Sequence, residues 1–276
     1  MLDSITVVFR EELPVLQLQA QSLALYCADL HTVYVIVNDH DSLVDEIDPA
    51  WWDSLADRVQ IIPRSYFGNE WCDNGWLSQQ ALKMLAARNS DATWSMTLDA
   101  KTLFIKSLPN NLFENDRCYC GTLPIYPVFE RSRQIANELF NIDLTQQLGP
   151  GGVPFFFHNN TVKELIQYVE HKTQLSFAKW FQAQGMLTEF ILYSGYVDYL
   201  YSGFDALYDS KSRLQGINNV CHSEVASFDR QYNNMLEDSA LTVSIHRRAW
   251  PHLTNMQQQA YRDLLIAHGL HVKDLI

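Results

Sequence analysis

The first hundred residues alternate short apolar runs with longer helical patterns, and that alternation restricts the chain to few folds. Ile5-Thr6-Val7-Val8-Phe9 reads as a buried strand, and residues 13–28 follow with Leu16, Ala20, Leu23 and Cys27 on one helical face. Val33-Tyr34-Val35-Ile36-Val37 is a second strand ending at Asn38-Asp39, and Val59-Gln60-Ile61-Ile62-Pro63 is a third. Gly75 leads into a helix that ends near Arg88, before a fourth strand that delivers Asp99. The order β-α-β-x-β-α-β predicts a mostly parallel sheet flanked by helices. Ligands of such sheets bind at the carboxyl ends of the strands.

After Pro109 the pattern becomes irregular. Tyr119 to Val128 reads as a strand pair broken by Pro124 and Pro127, and a polar helical segment follows to about Gln147. A Gly-Pro-Gly-Gly turn over 149–152 feeds an apolar strand from Val153 to His158. Helices are predicted over 160–171, 175–185, 188–201 and 256–268, with a late strand from Leu241 to His246. No internal repeat, low-complexity tract or linker is visible, so a single domain over 1–276 is expected.

Composition narrows the function classes. A chain of 276 residues that is 47% hydrophobic can bury a sizeable core. Its formal net charge of −12 argues against a general nucleic-acid binder, though it leaves room for a local basic pocket. Cys27, Cys72, Cys118, Cys120 and Cys221 are odd in number and lack paired zinc spacing, which suggests free thiols in a reducing cytoplasm. With neither a secretory signal nor an apolar run of about 20 residues, a cytoplasmic protein without a transmembrane segment is expected. Peripheral contact with the inner face of a membrane stays open. Val8-Phe9-Arg10-Glu11-Glu12-Leu13 is not the glycine-rich turn of a dinucleotide-binding fold. P-loop, nucleophile-elbow and His-Glu-x-x-His patterns are absent too.

The stretch Trp94-Ser95-Met96-Thr97-Leu98-Asp99-Ala100-Lys101 carries the chemistry. Carboxylates at a strand's exit commonly hold a divalent metal against a nucleotide diphosphate. Such sites usually read Asp-x-Asp, and Lys101 stands where the second Asp belongs. The bland alternative for Asp99 is a surface residue closing a turn. Trp76, Gln79, Gln80 and Lys83 share one helical face at spacing i, i+3, i+4, i+7. A purely structural helix would be apolar there, so this face is expected to line a ligand cleft.

Four stretches in order resemble one family. They are Gly75-Trp76-Leu77-Ser78-Gln79-Gln80, Leu98-Asp99-Ala100-Lys101, Pro154-Phe155-Phe156-Phe157-His158 and Thr188-Glu189-Phe190-Ile191-Leu192. The resemblance is to uncharacterised bacterial proteins regarded as glycosyltransferases of the GT-A type. That family shows a Gly-Trp-Tyr-x-Gln-Gln helix, a Leu-Asp-Ala-Asp strand end, an aromatic-His segment and a Ser-Glu-Tyr-Glu helix start. It implies an α/β, GT-A-like Rossmann-type sandwich with a mixed, mainly parallel sheet. Residues 1–108 would then form the nucleotide-sugar-binding half and 109–276 the acceptor-side half. The implied reaction moves a sugar from a nucleotide-sugar donor to a saccharide or lipid-linked saccharide acceptor, in bacterial surface polysaccharide biosynthesis. Mn²⁺ or Mg²⁺ is the implied cofactor.

The resemblance also suggests roles. Trp76, Gln79, Gln80 and Lys83 would line the donor cleft, with Lys83 near phosphate and the glutamines on base or sugar. Thr6, Phe9, Arg10, Asn38 and Asp39 would hold the nucleotide base and ribose, and Asp99 with His246 the metal. His222 is a rival for the latter role, and Arg247 or Arg248 could clamp phosphate. Glu189 at its helix start would act as general base toward the acceptor hydroxyl, a contribution of about 10²–10⁴-fold. Gly151, Gly152 and His158 would face the acceptor. The family's second glutamate falls on Leu192. Lys101 opens two outcomes: it points away and leaves a weakened metal site, or its ammonium binds the diphosphate directly and makes transfer metal-independent. The competing reading is a catalytically inert nucleotide-sugar-binding or scaffold homologue.

Overall fold

The computed structural model describes residues 1–149, 152–209, 211 and 214–272. In chain order the first half holds β1 (Leu2–Val8), α1 (Leu13–Tyr26), β2 (Val33–Val37), β3 (Val59–Pro63), α2 (Gly75–Asn89), β4 (Trp94–Asp99) and β5 (Leu103–Phe104). Short strands β6 (Phe113–Glu114), β7 (Arg117–Tyr119) and β8 (Thr122–Pro124) follow, then α3 (Glu130–Phe140), β9 (Gln146–Leu148) and β10 (Phe155–His158). The chain continues through α4 (Asn159–Thr173), α5 (Phe177–Ala183), α6 (Glu189–Tyr201), β11 (Tyr208–Asp209) and β12 (Ile217–Val220). It ends with α7 (Phe228–Met235), β13 (Thr242–Ile245) and α8 (Asn255–Ala267).

The central sheet has the order β10-β4-β1-β2-β3. β4, β1, β2 and β3 are parallel, and β10 closes the edge antiparallel to β4. The strands read as continuous apolar runs because helices cover both faces. After β1 the chain first moves outward to β2 and β3, then returns to place β4 on the other side of β1. The resulting switch point lies between the carboxyl ends of β1 and β4, where Val7 pairs with Asp99. A crevice for a ligand is expected at such a point.

Two further features shape that crevice. β10 buries Phe155, Phe156 and Phe157 completely. Phe155 stacks on Phe190 at 4.5 Å and Phe157 meets Tyr193 at 4.9 Å, which docks the start of α6 beside β4. Such ring pairs add about 0.5–1.5 kcal/mol beyond their buried area. The second sheet, β12-β13-β5, pairs Leu103 with Val243 immediately after Asp99. It thereby brings the ends of β12 and β13 over the same crevice.

The irregular middle differs from its sequence reading. β7 and β8 do not pair with each other: β7 joins β6 and β11, and β8 joins β9. Pro127 opens a 3₁₀ turn, Pro127–Phe129, that starts α3 instead of extending a strand. The polar helix ends at Phe140, capped by left-handed Asn141, so Gln147 lies in β9. β12 and α7 had no counterpart in the sequence reading. Among the described residues no helix is long and apolar enough to cross a membrane, and no disulfide forms.

Gly216 fixes the second sheet. Its φ of +76° is the left-handed region, and its carbonyl accepts from Leu241 N–H at 2.8 Å and Thr242 N–H at 3.1 Å. A Cβ here would collide with the Ser239 carbonyl and come within 2.7 Å of Leu241 N. Left-handed backbone costs a non-glycine residue about 1–2 kcal/mol before any clash. Gly216→Ala should therefore lower the unfolding free energy by about 2–4 kcal/mol in urea denaturation. A loss under about 0.5 kcal/mol would contradict this account of the turn.

Candidate active site

The site grows from the exit of β4. Residues 99–102 form a turn in which Thr102 N–H donates to the Asp99 carbonyl at 2.9 Å. Gln19 of α1, fully buried, donates to the same carbonyl at 2.7 Å and to that of Thr102 at 3.0 Å. Its own amide oxygen accepts from Thr6 Oγ1 at 2.7 Å. The turn brings the side chains of Asp99 and Lys101 together, Lys101 Nζ donating to Asp99 Oδ2 at 2.6 Å. Both stay in part accessible, at 25% and 18% side-chain exposure.

Behind this pair runs a buried chain of alternating charge. Lys83 of α2, 2% exposed, donates to Asp99 Oδ1 at 2.9 Å and lies 3.3 Å from a Glu189 carboxylate oxygen. Gln79, one turn before Lys83, also donates to Asp99 Oδ1, at 3.3 Å. Gln80, with its amide oriented to satisfy its neighbours, donates to Glu189 at 2.6 Å and accepts from the Trp76 indole N–H at 3.2 Å. Glu189 begins α6, where Thr188 caps the helix by accepting from Ile191 N–H at 3.3 Å. The helix N-terminus favours a carboxylate at that position.

Electrostatics differ at the two carboxylates. Burial alone would raise Asp99, but the ammoniums of Lys101 and Lys83 hold its carboxyl well below the usual carboxylate range. Glu189 has no exposed atoms, and burial pushes it up to about 7 against the pull of Lys83. Burial disfavours the charged form of Lys83, yet Asp99 and Glu189 together hold its pKa above the ordinary lysine value.

Asp99 and Lys101 lie on the floor of a cleft of about 400 Å³, with Tyr126, Gly152, Val153, Asn219, Gln231 and Ser244 among its walls. Ser244 Oγ donates to Asn219 Oδ1 at 2.7 Å. On its other side Lys101 lines a smaller hollow of about 40 Å³ with Glu12, His246 and Arg247. His246 is shifted down by burial and then by Lys101, and its Nδ1 accepts from Arg248 N–H at 3.1 Å. Arg247 pairs with Glu11 at 2.6 Å. Glu12 is shifted up by burial and accepts from Phe9 N–H at 3.2 Å.

The structure brings together Asp99, Lys101, Lys83, Gln79, Gln80, Trp76 and Glu189, and separates others. Lys83 is sealed beneath Asp99 and does not reach the cleft, contrary to the expected phosphate contact. Glu189 is likewise enclosed by Lys83 and Gln80, so no open path leads from it to an acceptor hydroxyl. Thr6 and Asn38 are buried, Asn38 being tied to Ser78 Oγ at 2.8 Å. Asp39 accepts from Arg10 N–H at 3.3 Å, while the Arg10 guanidinium points to Glu46 on the surface at 2.5 Å. Phe9 packs on Gly75, where any Cβ would lie 2.9 Å from its ring.

His158 lies at the opposite end of the sheet, paired in register with Trp94 rather than Asp99. That is roughly 16 Å along β4, and its ring bonds Thr161 at 2.9 Å against the Trp94 ring. Gly152 lines the cleft, Gly151 lies outside the described residues, and nothing is described of the His222 side chain. Gln19, Glu12, Asn219 and Ser244 are site residues that sequence reasoning missed. Gln19 alone left a signal, an amide on an otherwise apolar helix face.

Among the described residues, the donor set at Asp99 does not fit a divalent ion. Both Asp99 oxygens are bonded to ammonium groups, and the described residues contain no group of three or more His, Cys, Asp or Glu side chains suited to hold a metal. The Asp99–His246 pair read from sequence is divided by Lys101, which lines both hollows.

Two outcomes follow from the buried chain. Removing one partner of a buried ion pair costs about 3–5 kcal/mol, so Lys83→Met should destabilise the fold by that amount. Adding Glu189→Gln to that variant should recover part of it, as measured by denaturant unfolding; a double variant no more stable than Lys83→Met would contradict the pairing. Glu189 itself is raised from 4.5 to about 7. It contributes stability in full below pH 4.5 that is lost as pH rises to 7, about 3 kcal/mol in all. The stability of Glu189→Gln relative to the parent should therefore climb between pH 4.5 and 7 and level off above. A difference independent of pH would show that Glu189 does not titrate in the folded state.

Comparison with solved structures gives the fold. The galactosyltransferase LgtC, crystallised with donor and acceptor sugar analogs, superposes with a TM-score of 0.50 at 11% identity, over 96% of this chain and 95% of that one. The apo glycosyltransferase GlyE of Streptococcus pneumoniae TIGR4 gives 0.47 at 10% identity, over 99% of this chain and 62% of that one. The likeness to LgtC shows a GT-A glycosyltransferase fold, with a mainly parallel central sheet flanked by helices. No curated protein matches the sequence. Residues 6–245 match a family described as of unknown function, DUF6492, and the chain belongs to that family.

Proposed function

We propose that the protein is a glycosyltransferase that moves a sugar from a nucleotide-sugar donor to a hydroxyl of a saccharide acceptor, and that Lys101 takes the part a metal ion plays elsewhere. The observation that supports this is the Asp99–Lys101 pair, facing a cleft at the switch point of a glycosyltransferase fold. Residues 1–108 carry the donor side and 109–276 the acceptor side in this reading, acting in the cytoplasm on surface-polysaccharide precursors.

Transfer requires stabilisation of the negative charge that grows on the leaving diphosphate. Lys101 offers an ammonium at the cleft floor, oriented by Asp99, which Lys83 in turn anchors from beneath. The acceptor oxygen bonds to the anomeric carbon as the glycosyl–phosphate bond breaks, its electron pair leaving with the diphosphate. The proton lost by the acceptor ends on the diphosphate product, since Asp99 is held too acidic to keep it. Glu189 acts in this scheme as a positioning residue for Lys83, not as the base expected from its place at a helix start.

The test is thermal denaturation with UDP, GDP or their hexose conjugates, in the presence of a chelator and then with manganese. Binding should stabilise the protein without metal, by about 2.7 kcal/mol at a hundredfold excess over Kd. Lys101→Ala should weaken that binding at least tenfold. Stabilisation only with manganese would overturn the role of Lys101, and none under either condition would overturn the donor site. Binding without turnover of any nucleotide sugar would favour an inert homologue.

A further inference from the structure

On the far side of the buried charge chain from Lys101 lies a second hollow, of about 140 Å³, lined by Trp76, Gln80, Phe129, Gln147, Thr188 and Phe190. Three of its walls are aromatic. Two are amides and one a hydroxyl, and among the described residues no ionised side chain lines it. Gln147 of β9 is 2% exposed, and its side-chain amide makes no hydrogen bond to any described residue. That amide is not among the fully buried polar groups left without a partner, so it opens on the hollow, and a ligand that displaces water there must replace its hydrogen bonds. Gln80, whose amide is fixed by Glu189 and Trp76, forms the floor that joins this hollow to the charge chain. The 3₁₀ turn Pro127–Phe129 and the preceding Tyr126 border both spaces, Tyr126 lining the cleft and Phe129 the hollow.

We infer that this hollow is a subsite for one uncharged pyranose ring of a substrate, an inference that rests on the transferase reading above. The lining matches such a ring in both of its surfaces. Aromatic faces cover its C–H-rich side, and the Gln147 and Gln80 amides meet its hydroxyls. An apolar ligand would leave the Gln147 amide unpaired, and an ionic one would find no counter-charge. The ring belongs either to the acceptor saccharide or to the donor's own sugar; the two share one chemistry.

The experiment is saturation-transfer NMR on the full chain with the methyl glycosides of glucose, galactose and N-acetylglucosamine. At least one should bind, and Gln147→Leu should weaken it at least tenfold while the thermal shift given by UDP or GDP persists. Trp76→Ala, at a residue 37% exposed and so tolerant of truncation, should weaken it as well. Repeating the measurement with saturating nucleotide sugar identifies the source: a glycoside that stays bound marks an acceptor subsite, and one displaced marks the donor sugar's place. Either result upholds the subsite. Failure of all three glycosides to bind the parent, or equal binding by both variants, would overturn it. In that event a persisting nucleotide shift leaves the transferase reading intact, whereas loss of both removes that reading too.

Discussion

The arrangement depends on Lys83, an ammonium sealed from solvent and shared between two carboxylates. A buried cation is tolerable only where its charge is matched and its protons are bonded. Asp99 and Glu189 supply that match from two different elements, the end of β4 and the start of α6. The interaction therefore joins the central sheet to the helical half of the chain at the switch point. Stacking of Phe155 on Phe190 holds α6 in place for it.

Because both Asp99 oxygens are taken, the charge presented to the cleft is that of Lys101 rather than that of a carboxylate. The turn over 99–102, tied at two carbonyls by Gln19, makes this presentation rigid. Glu189, pushed up to about 7 by burial, adds a second property. Each proton it takes leaves the chain of Lys101, Asp99 and Lys83 with one net positive charge. In the transferase reading proposed above, diphosphate binding strengthens as Glu189 takes its proton.

Much of this was legible in the residues. The parallel core followed from apolar runs separated by helical periodicity, and Asp99 followed from its place at a strand exit. The i, i+3, i+4, i+7 face of α2 correctly marked Trp76, Gln79, Gln80 and Lys83 as unusual. Periodicity could not say how the face divides, with Gln79 turning to Asp99, Gln80 to Glu189, Lys83 bridging the two and Trp76 bonding Gln80. Nor could it tell a phosphate-binding lysine from one buried between carboxylates, since both violate an apolar pattern alike. His158 was placed by its neighbours in sequence; antiparallel pairing of β10 instead carried it to the far end of the sheet. β12 was hidden because Asn218 and Asn219 give no apolar alternation; β13 was legible as the late strand, but only its long-range pairing with β5 and β12 brings Ser244 to the site.

The most direct test of the central claim is a crystal structure of the protein with a bound nucleoside diphosphate, grown in the presence of chelator. The account predicts a phosphate oxygen within hydrogen-bond reach of Lys101 Nζ, about 3 Å, with Asp99 still held between Lys101 and Lys83. A diphosphate bound away from Lys101, or one that enters only when a divalent ion sits on Asp99 with the lysines displaced, would contradict it.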